Sequence, residues 1–186
     1  MYYQDKVKAY HELNKLLNNN EKHIVVAGDS FVEQFPVDEL FDEFKILNRG
    51  IGKDSSKGLF DRTDNNINNI NISSCFIMVG HNDIKYRKVS ETVDLIVSVL
   101  NKIKSDRLYF ISILPDCNVN DNELFIVINR MVKDFCRHHR CQFVDAYNLF
   151  VNENECNQQL YTSDEVHLNI YGYKLLAKKI DVILKK

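Results

Sequence analysis

At 186 residues and 45% hydrophobic content, the chain is long enough to bury one core and lacks the skewed composition of a disordered or fibrous protein. Its 24 basic and 26 acidic residues, net charge -2, are spread along the sequence, which excludes a strong field for nucleic acid or an anionic membrane and leaves small or neutral partners. No apolar run reaches transmembrane length, and the charged start Met1-Tyr2-Tyr3-Gln4-Asp5-Lys6 lacks the apolar core of a secretory signal.

The five cysteines, Cys75, Cys117, Cys136, Cys141 and Cys156, are odd in number and show no C-x-x-C spacing. That pattern argues against a disulfide framework and against a zinc site, so a reducing cytoplasm is the expected compartment. One domain spanning 1–186 is expected, with no internal repeat and no linker.

Residues 5 to 17 place Val7, Tyr10, Leu13, Leu16 and Leu17 at three-to-four spacing between charges, the pattern of an amphipathic helix lying on a core. His23-Ile24-Val25-Val26-Ala27 reads as a buried strand and stops abruptly at Gly28-Asp29-Ser30. Val37 to Phe44 suits a short helix behind Pro36, and Lys45 to Asn48 a second strand. The loop Arg49 to Ser56 carries two glycines and a Ser/Asp cluster, with Asp54 or Ser55 able to cap a helix expected from about Ser56 to Ile70.

Ser74 to Val79 is a third apolar run, ending in Gly80-His81-Asn82-Asp83. A helical stripe follows over Val89 to Ile103, then a strand at Arg107 to Leu114 closed by Pro115. A long helix around Glu123 to His138, a fifth strand at Gln142 to Asp145 and a polar loop precede a last helix from about Ile170 to Leu184, with Asn169 as its cap. Strands alternating with helices at this spacing imply right-handed β-α-β units, a parallel sheet and helices on both faces.

In such a sheet the strands release their loops at one edge, where ligands gather. Polar clusters stand at the exits of the first three strands, and Asp164-Glu165-Val166-His167 lies in the loop before the last helix. Acyl transfer needs a hydroxyl nucleophile, a base within hydrogen-bond reach, a group orienting that base, and donors aimed at the developing oxyanion. Ser30, His167, Asp164 and Asn82 can fill those four places. Each also has a plain reading: Gly-Asp-Ser and Asn-Asp are ordinary turn chemistry, and Asp164 with His167 can be a solvated loop pair. His81 reads as a spacer, and the basic run Arg137 to Arg140 as a solvated helix end.

The four blocks together resemble the SGNH (GDSL-type) hydrolases, serine esterases and acylhydrolases on a flavodoxin-like fold. Gly28-Asp29-Ser30 is similar to the nucleophile block, and Asn48 to Ser55 to the second block. Gly80-His81-Asn82-Asp83 fits Gly-x-Asn-Asp and Asp164-Glu165-Val166-His167 fits the closing Asp-x-x-His, in the family's order along roughly residues 23 to 184. The resemblance implies a three-layer α/β/α fold with a five-stranded parallel sheet in the order 2-1-3-4-5. It further implies Ser30 as nucleophile, His167 as base, Asp164 as its orienting acid, and an oxyanion hole from the Ser30 N–H, the second-block N–H and the Asn82 amide. Lys53 stands before Asp54 where the family usually has glycine, so the donor N–H is kept and the loop geometry there is left open.

No phosphate-binding glycine loop or metal motif is present, and no cofactor is expected. The expected substrate is a small-molecule or glycan acyl ester, with deacetylation of a sugar or other small metabolite favoured by polar strand-exit loops and the lack of a long apolar lid. The alternatives are a lysophospholipase or acyl-thioesterase, and a non-catalytic module that keeps the fold and binds a ligand in the same cleft.

Overall fold

The structure, a computed structural model, describes residues 2–18, 20–118, 121–153 and 155–186. In chain order the larger elements are α1 (Tyr2–Lys15), β1 (His23–Gly28), α2 (Ser30–Glu33), α3 (Val37–Leu40), β2 (Ile46–Gly50), α4 (Ser56–Asn66), β3 (Ile72–Met78) and α5 (Val89–Lys102). They continue with β4 (Arg107–Ile111), α6 (Asn122–His138), β5 (Cys141–Val144), the two-residue strands β6 (Val151–Asn152) and β7 (Glu155–Cys156), and α7 (Ile170–Leu184). Strands one to five form a parallel sheet in the order β2-β1-β3-β4-β5, as expected from the sequence. β6 and β7 make a separate antiparallel hairpin in the segment expected to be a polar loop.

Alternate residues of each strand feed opposite layers. Val25, Ala27, Cys75, Ile77, Leu108 and Phe110 pack with Leu59 of α4, Ile96 of α5 and Phe125 of α6. Val26, Phe76, Met78, Tyr109 and Ile111 pack with Phe31 of α2, Val37 of α3 and Leu176 of α7. Burial on both faces is why these strands read as continuous apolar runs.

The two inner loops of the site run close together. A Cβ placed on Gly28 would lie 1.8 Å from the Met78 carbonyl oxygen, so only glycine fits where β1 leaves the sheet.

Helix ends differ from the sequence reading. The first helix is shifted toward the N-terminus, α3 is one turn, and α4 stops at Asn66 rather than continuing to Ile70. The asparagines in that region are anchors for α1: buried Asn66 donates to the Val7 carbonyl (2.9 Å), and Asn14 donates to the Asn66 carbonyl (3.0 Å) and to Asn69 Oδ1 (2.7 Å). Asn19, just beyond the span expected for the first helix, lies outside the described residues.

The expectation of unpaired cysteines fails at Cys117 and Cys156, which form a disulfide with Cα atoms 5.1 Å apart. The partners are 39 residues apart, on the loop after β4 and on β7. Spacing rules read only local cysteine motifs, so a link between two distant loops leaves no trace in them. Cys75, Cys136 and Cys141 are free and buried. No helix among the described residues is long and apolar enough to cross a membrane.

Candidate active site

Ser30 is the first residue of α2, immediately beyond the end of β1. The preceding Asp29 caps that helix, its Oδ1 accepting from the Phe31 N–H at 3.1 Å. Cap and strand end together fix the hydroxyl above the carboxyl edge of the sheet. Asp29 is fully buried, and desolvation pushes its carboxyl up to about 8, reinforced by the nearby Asp54 and Asp83 carboxylates and opposed by the Phe31 N–H.

From the loop before α7, His167 reaches Ser30 with Nε2 2.9 Å from Oγ, while its Nδ1 lies 2.7 Å from Asp164 Oδ2. The other Asp164 oxygen accepts from the Thr162 hydroxyl (2.6 Å), the His167 N–H (2.9 Å) and the Val166 N–H (3.0 Å). Partial burial works to raise this carboxyl, but the hydrogen bonds from Thr162, from His167 and from the Val166 N–H outweigh it and hold Asp164 well below the usual carboxylate range. An ionised Oδ2 beside Nδ1 places the ring proton there and leaves Nε2 as the acceptor for the Ser30 hydroxyl.

Asn82 follows β3, and its side-chain amide donates to the Asp54 carbonyl at 3.0 Å. An amide nitrogen carries two protons, so one remains for a ligand. In the loop after β2, the Ile51 N–H donates to Gly28 O (3.0 Å) and the Asp54 N–H to Ile51 O (3.1 Å). The N–H groups of Gly52 and Lys53 take part in neither bond. Lys53 has φ of 62°, a left-handed conformation that glycine adopts freely and other residues adopt at a cost.

Two buried polar groups brace this loop. Arg62 on α4 donates to Asp54 Oδ2 (2.8 Å), Gly28 O (3.1 Å) and Arg49 O (2.9 Å), joining the ends of β1 and β2. Asp83 Oδ2 accepts from the N–H and hydroxyl of Ser56 (2.8 and 3.1 Å), tying the start of α4 to the exit of β3.

His81, read from the sequence as a spacer rather than a second base, has packing partners of its own. Its ring is buried between Phe31 (centroids 5.2 Å apart) and Phe125 (4.9 Å), and Nε2 stands 3.4 Å from Asp116 Oδ2 without hydrogen-bond geometry. Asp116 belongs to the loop after β4, so its proximity to His81 was invisible in sequence spacing.

The structure therefore brings Ser30, Asp164, His167, Lys53 and Asn82 to one cleft of about 920 Å³. Tyr2 and Tyr3 of α1, together with Glu33 and Lys85, also line it, and none of these four was singled out from the sequence. Chemically, the arrangement offers a hydroxyl hydrogen-bonded to a base, with the Asn82 amide lining the same cleft.

Comparison with known proteins agrees with the geometry. A family model described as the GDSL-like Lipase/Acylhydrolase family matches residues 26–175. The alpha1 subunit of platelet-activating factor acetylhydrolase IB from Rattus norvegicus is 27% identical over 179 residues, 89% of this chain and 76% of the relative. Among solved structures, a GDSL-like lipase from Bacteroides thetaiotaomicron superposes with a TM-score of 0.84 at 22% identity, covering 96% of this chain and 97% of that one. An acetylxylan esterase from Geobacillus stearothermophilus superposes with a TM-score of 0.68 at 15% identity, covering 86% of this chain and 92% of that one.

Proposed function

Because the chain belongs to the GDSL-like lipase/acylhydrolase family and is a hydrolase, we propose that it is a serine esterase cleaving a short acyl ester, acetyl above all, through an acyl-enzyme. The observation that carries this reading is the continuous relay from Ser30 Oγ to His167 Nε2 (2.9 Å) and from Nδ1 to Asp164 Oδ2 (2.7 Å) at the foot of an open cleft. Ser30 Oγ attacks the acyl carbon as its proton passes to Nε2, and Asp164 stabilises the imidazolium that forms. The oxyanion is received by the N–H groups of Ser30 and Lys53 and by the free proton of the Asn82 amide. Collapse of the tetrahedral intermediate expels the alcohol, which takes the proton from Nε2. Water then enters by the same route and releases the acid, so one ester and one water give one acid and one alcohol.

Acetyl is favoured because two similar proteins, an acetylhydrolase subunit and an acetylxylan esterase, carry that group in their names. A carbohydrate or other polar alcohol is favoured by the charged and amide side chains that line the cleft, Glu33, Lys53, Asn82 and Lys85 among them. On this reading the chain acts as one hydrolase domain. The expectation of a reducing cytoplasm rested in part on the cysteine pattern, and the Cys117–Cys156 bond removes that part of its support.

Labelling with a fluorophosphonate probe tests the proposal. The wild-type protein is expected to label and Ser30→Ala to remain unlabelled. A protein that binds acetylated sugars but takes no label at Ser30 would be a binding module on the same fold, and the esterase reading would be abandoned.

A further inference from the structure

Beyond the nucleophile, the cleft has a wall that the matched family region does not supply. Residues 26–175 leave out α1, yet its first turn places Tyr2 and Tyr3 in the lining of the cleft beside Ser30. α1 is fastened to the site loops along its length. The Tyr3 hydroxyl donates to Asp54 Oδ1 (3.1 Å), the Tyr10 hydroxyl to the Gly50 carbonyl (2.7 Å), and Asn14 Oδ1 accepts from Arg49 (2.6 and 3.1 Å).

Tyr2 differs from its neighbours. Its hydroxyl donates to Glu33 on α2, and the Lys6 ammonium stands 5.7 Å from its ring centroid and 3.6 Å from Glu33. Even so, the residue remains 55% exposed. A tyrosine pinned at its hydroxyl, with its ring open in the cleft wall, is a fixed aromatic surface rather than a floating side chain.

Size and chemistry say what that surface meets. A two-carbon acyl group fills only a small part of about 920 Å³, so most of the cleft serves the alcohol half of the ester. Glu33, to which the Tyr2 hydroxyl donates, lines the cleft together with Gln34, Lys53 and Lys85, so hydrogen-bonding groups share it with the apolar surface of the ring. An aromatic face with hydrogen-bonding groups around it matches a pyranose, whose C–H face stacks on the ring while its hydroxyls reach the rim. Resting on the esterase reading above, we propose that Tyr2 is a specificity-determining residue, a platform for a sugar ring in the alcohol part of the substrate, with Glu33 holding it in place.

Steady-state kinetics on a mono-O-acetylated methyl glycoside and on ethyl acetate test this, using wild type, Tyr2→Ala and Tyr2→Phe. Tyr2→Ala is expected to lower the ratio of kcat/KM for the glycoside over ethyl acetate about ten-fold, chiefly through KM on the glycoside. Tyr2→Phe keeps the ring but frees it from Glu33, so its ratio is expected to fall between those of wild type and Tyr2→Ala, and a ratio as low as that of Tyr2→Ala would overturn the platform. Equal losses by Tyr2→Ala on both esters, or no change in the ratio, overturn the proposal. If Ser30 labels and ethyl acetate is cleaved but the glycoside is not, the platform fails while the esterase reading stands. If Ser30 does not label, the esterase reading fails and the platform falls with it.

Discussion

Lys53 shows how a sequence departure becomes a physical one. The family pattern has glycine at that position, and φ of 62° explains the preference, since the left-handed conformation costs a non-glycine residue about 1–2 kcal/mol. Lys53→Gly keeps the N–H, so it should change kcat by a few-fold at most; after the extra entropy of an unfolded glycine it should add up to about 1 kcal/mol of stability. Asn82→Ala makes the opposite demand. On the proposed mechanism it removes a side-chain oxyanion donor and should lower kcat by roughly 10²–10³. Single-turnover rates for the two variants, with urea unfolding of Lys53→Gly, check both, and similar losses of rate would remove Asn82 from its assigned place. Ser30, Asn82, Asp164 and His167 were legible because each stands at a strand exit or just before the last helix. Tyr2 and Asp116 were not, because what gives them meaning is a partner on another element.

Among the elements, the loop after β2 depends on α4 more than its own residues suggest. Arg62 is the buried cation that meets Asp54 and two carbonyls at the ends of β1 and β2. Arg62→Met leaves Asp54 buried without its ion-pair partner and should cost about 3–5 kcal/mol in urea unfolding. A loss below about 1 kcal/mol, the value usual for exposed pairs, would mean that the loop holds itself.

The disulfide acts on a different pair of loops, those after β4 and at β7. Cys117 is joined to β7, its N–H donates to the Glu165 carbonyl (2.9 Å), and its neighbour Asp116 faces His81, so one short strap touches both the His167 loop and the exit of β3. Cys117→Ser should lower stability by about 2–4 kcal/mol. Wild type in dithiothreitol should unfold at the same urea concentration as the variant in oxidising buffer. Coincident midpoints for reduced and oxidised wild type would show that the bond constrains nothing. Neither the strap nor the hairpin was visible in the sequence, since two-residue strands carry no period and distant cysteines carry no spacing.

At the scale of the molecule, the sheet was legible because its strands are buried on both faces and read as apolar runs, and because right-handed crossovers leave few orders open. Helix ends were less legible where side chains of one helix serve another, as Asn66 does for α1.

The same burial that made the strands readable sets how stability responds to pH. Asp29, at the end of the central strand, has its carboxyl pushed up to about 8 by burial, against about 3.9 for an unfolded aspartate. Between those values the folded state holds a proton that the unfolded state has released. Its contribution is therefore complete below about pH 4 and declines as pH rises through about 8. Asp54 is raised as well, through burial that its Arg62 partner only partly offsets, and works in the same direction. Asp164 is shifted the other way, but its contribution is lost only as pH falls below the ordinary carboxylate range, outside this window. Asp29→Asn can still cap α2 and mimics the protonated acid, so it isolates the effect. Urea midpoints measured from pH 5 to 9 should fall with rising pH in wild type and fall less steeply in Asp29→Asn, and two parallel curves would show that Asp29 does not hold that proton.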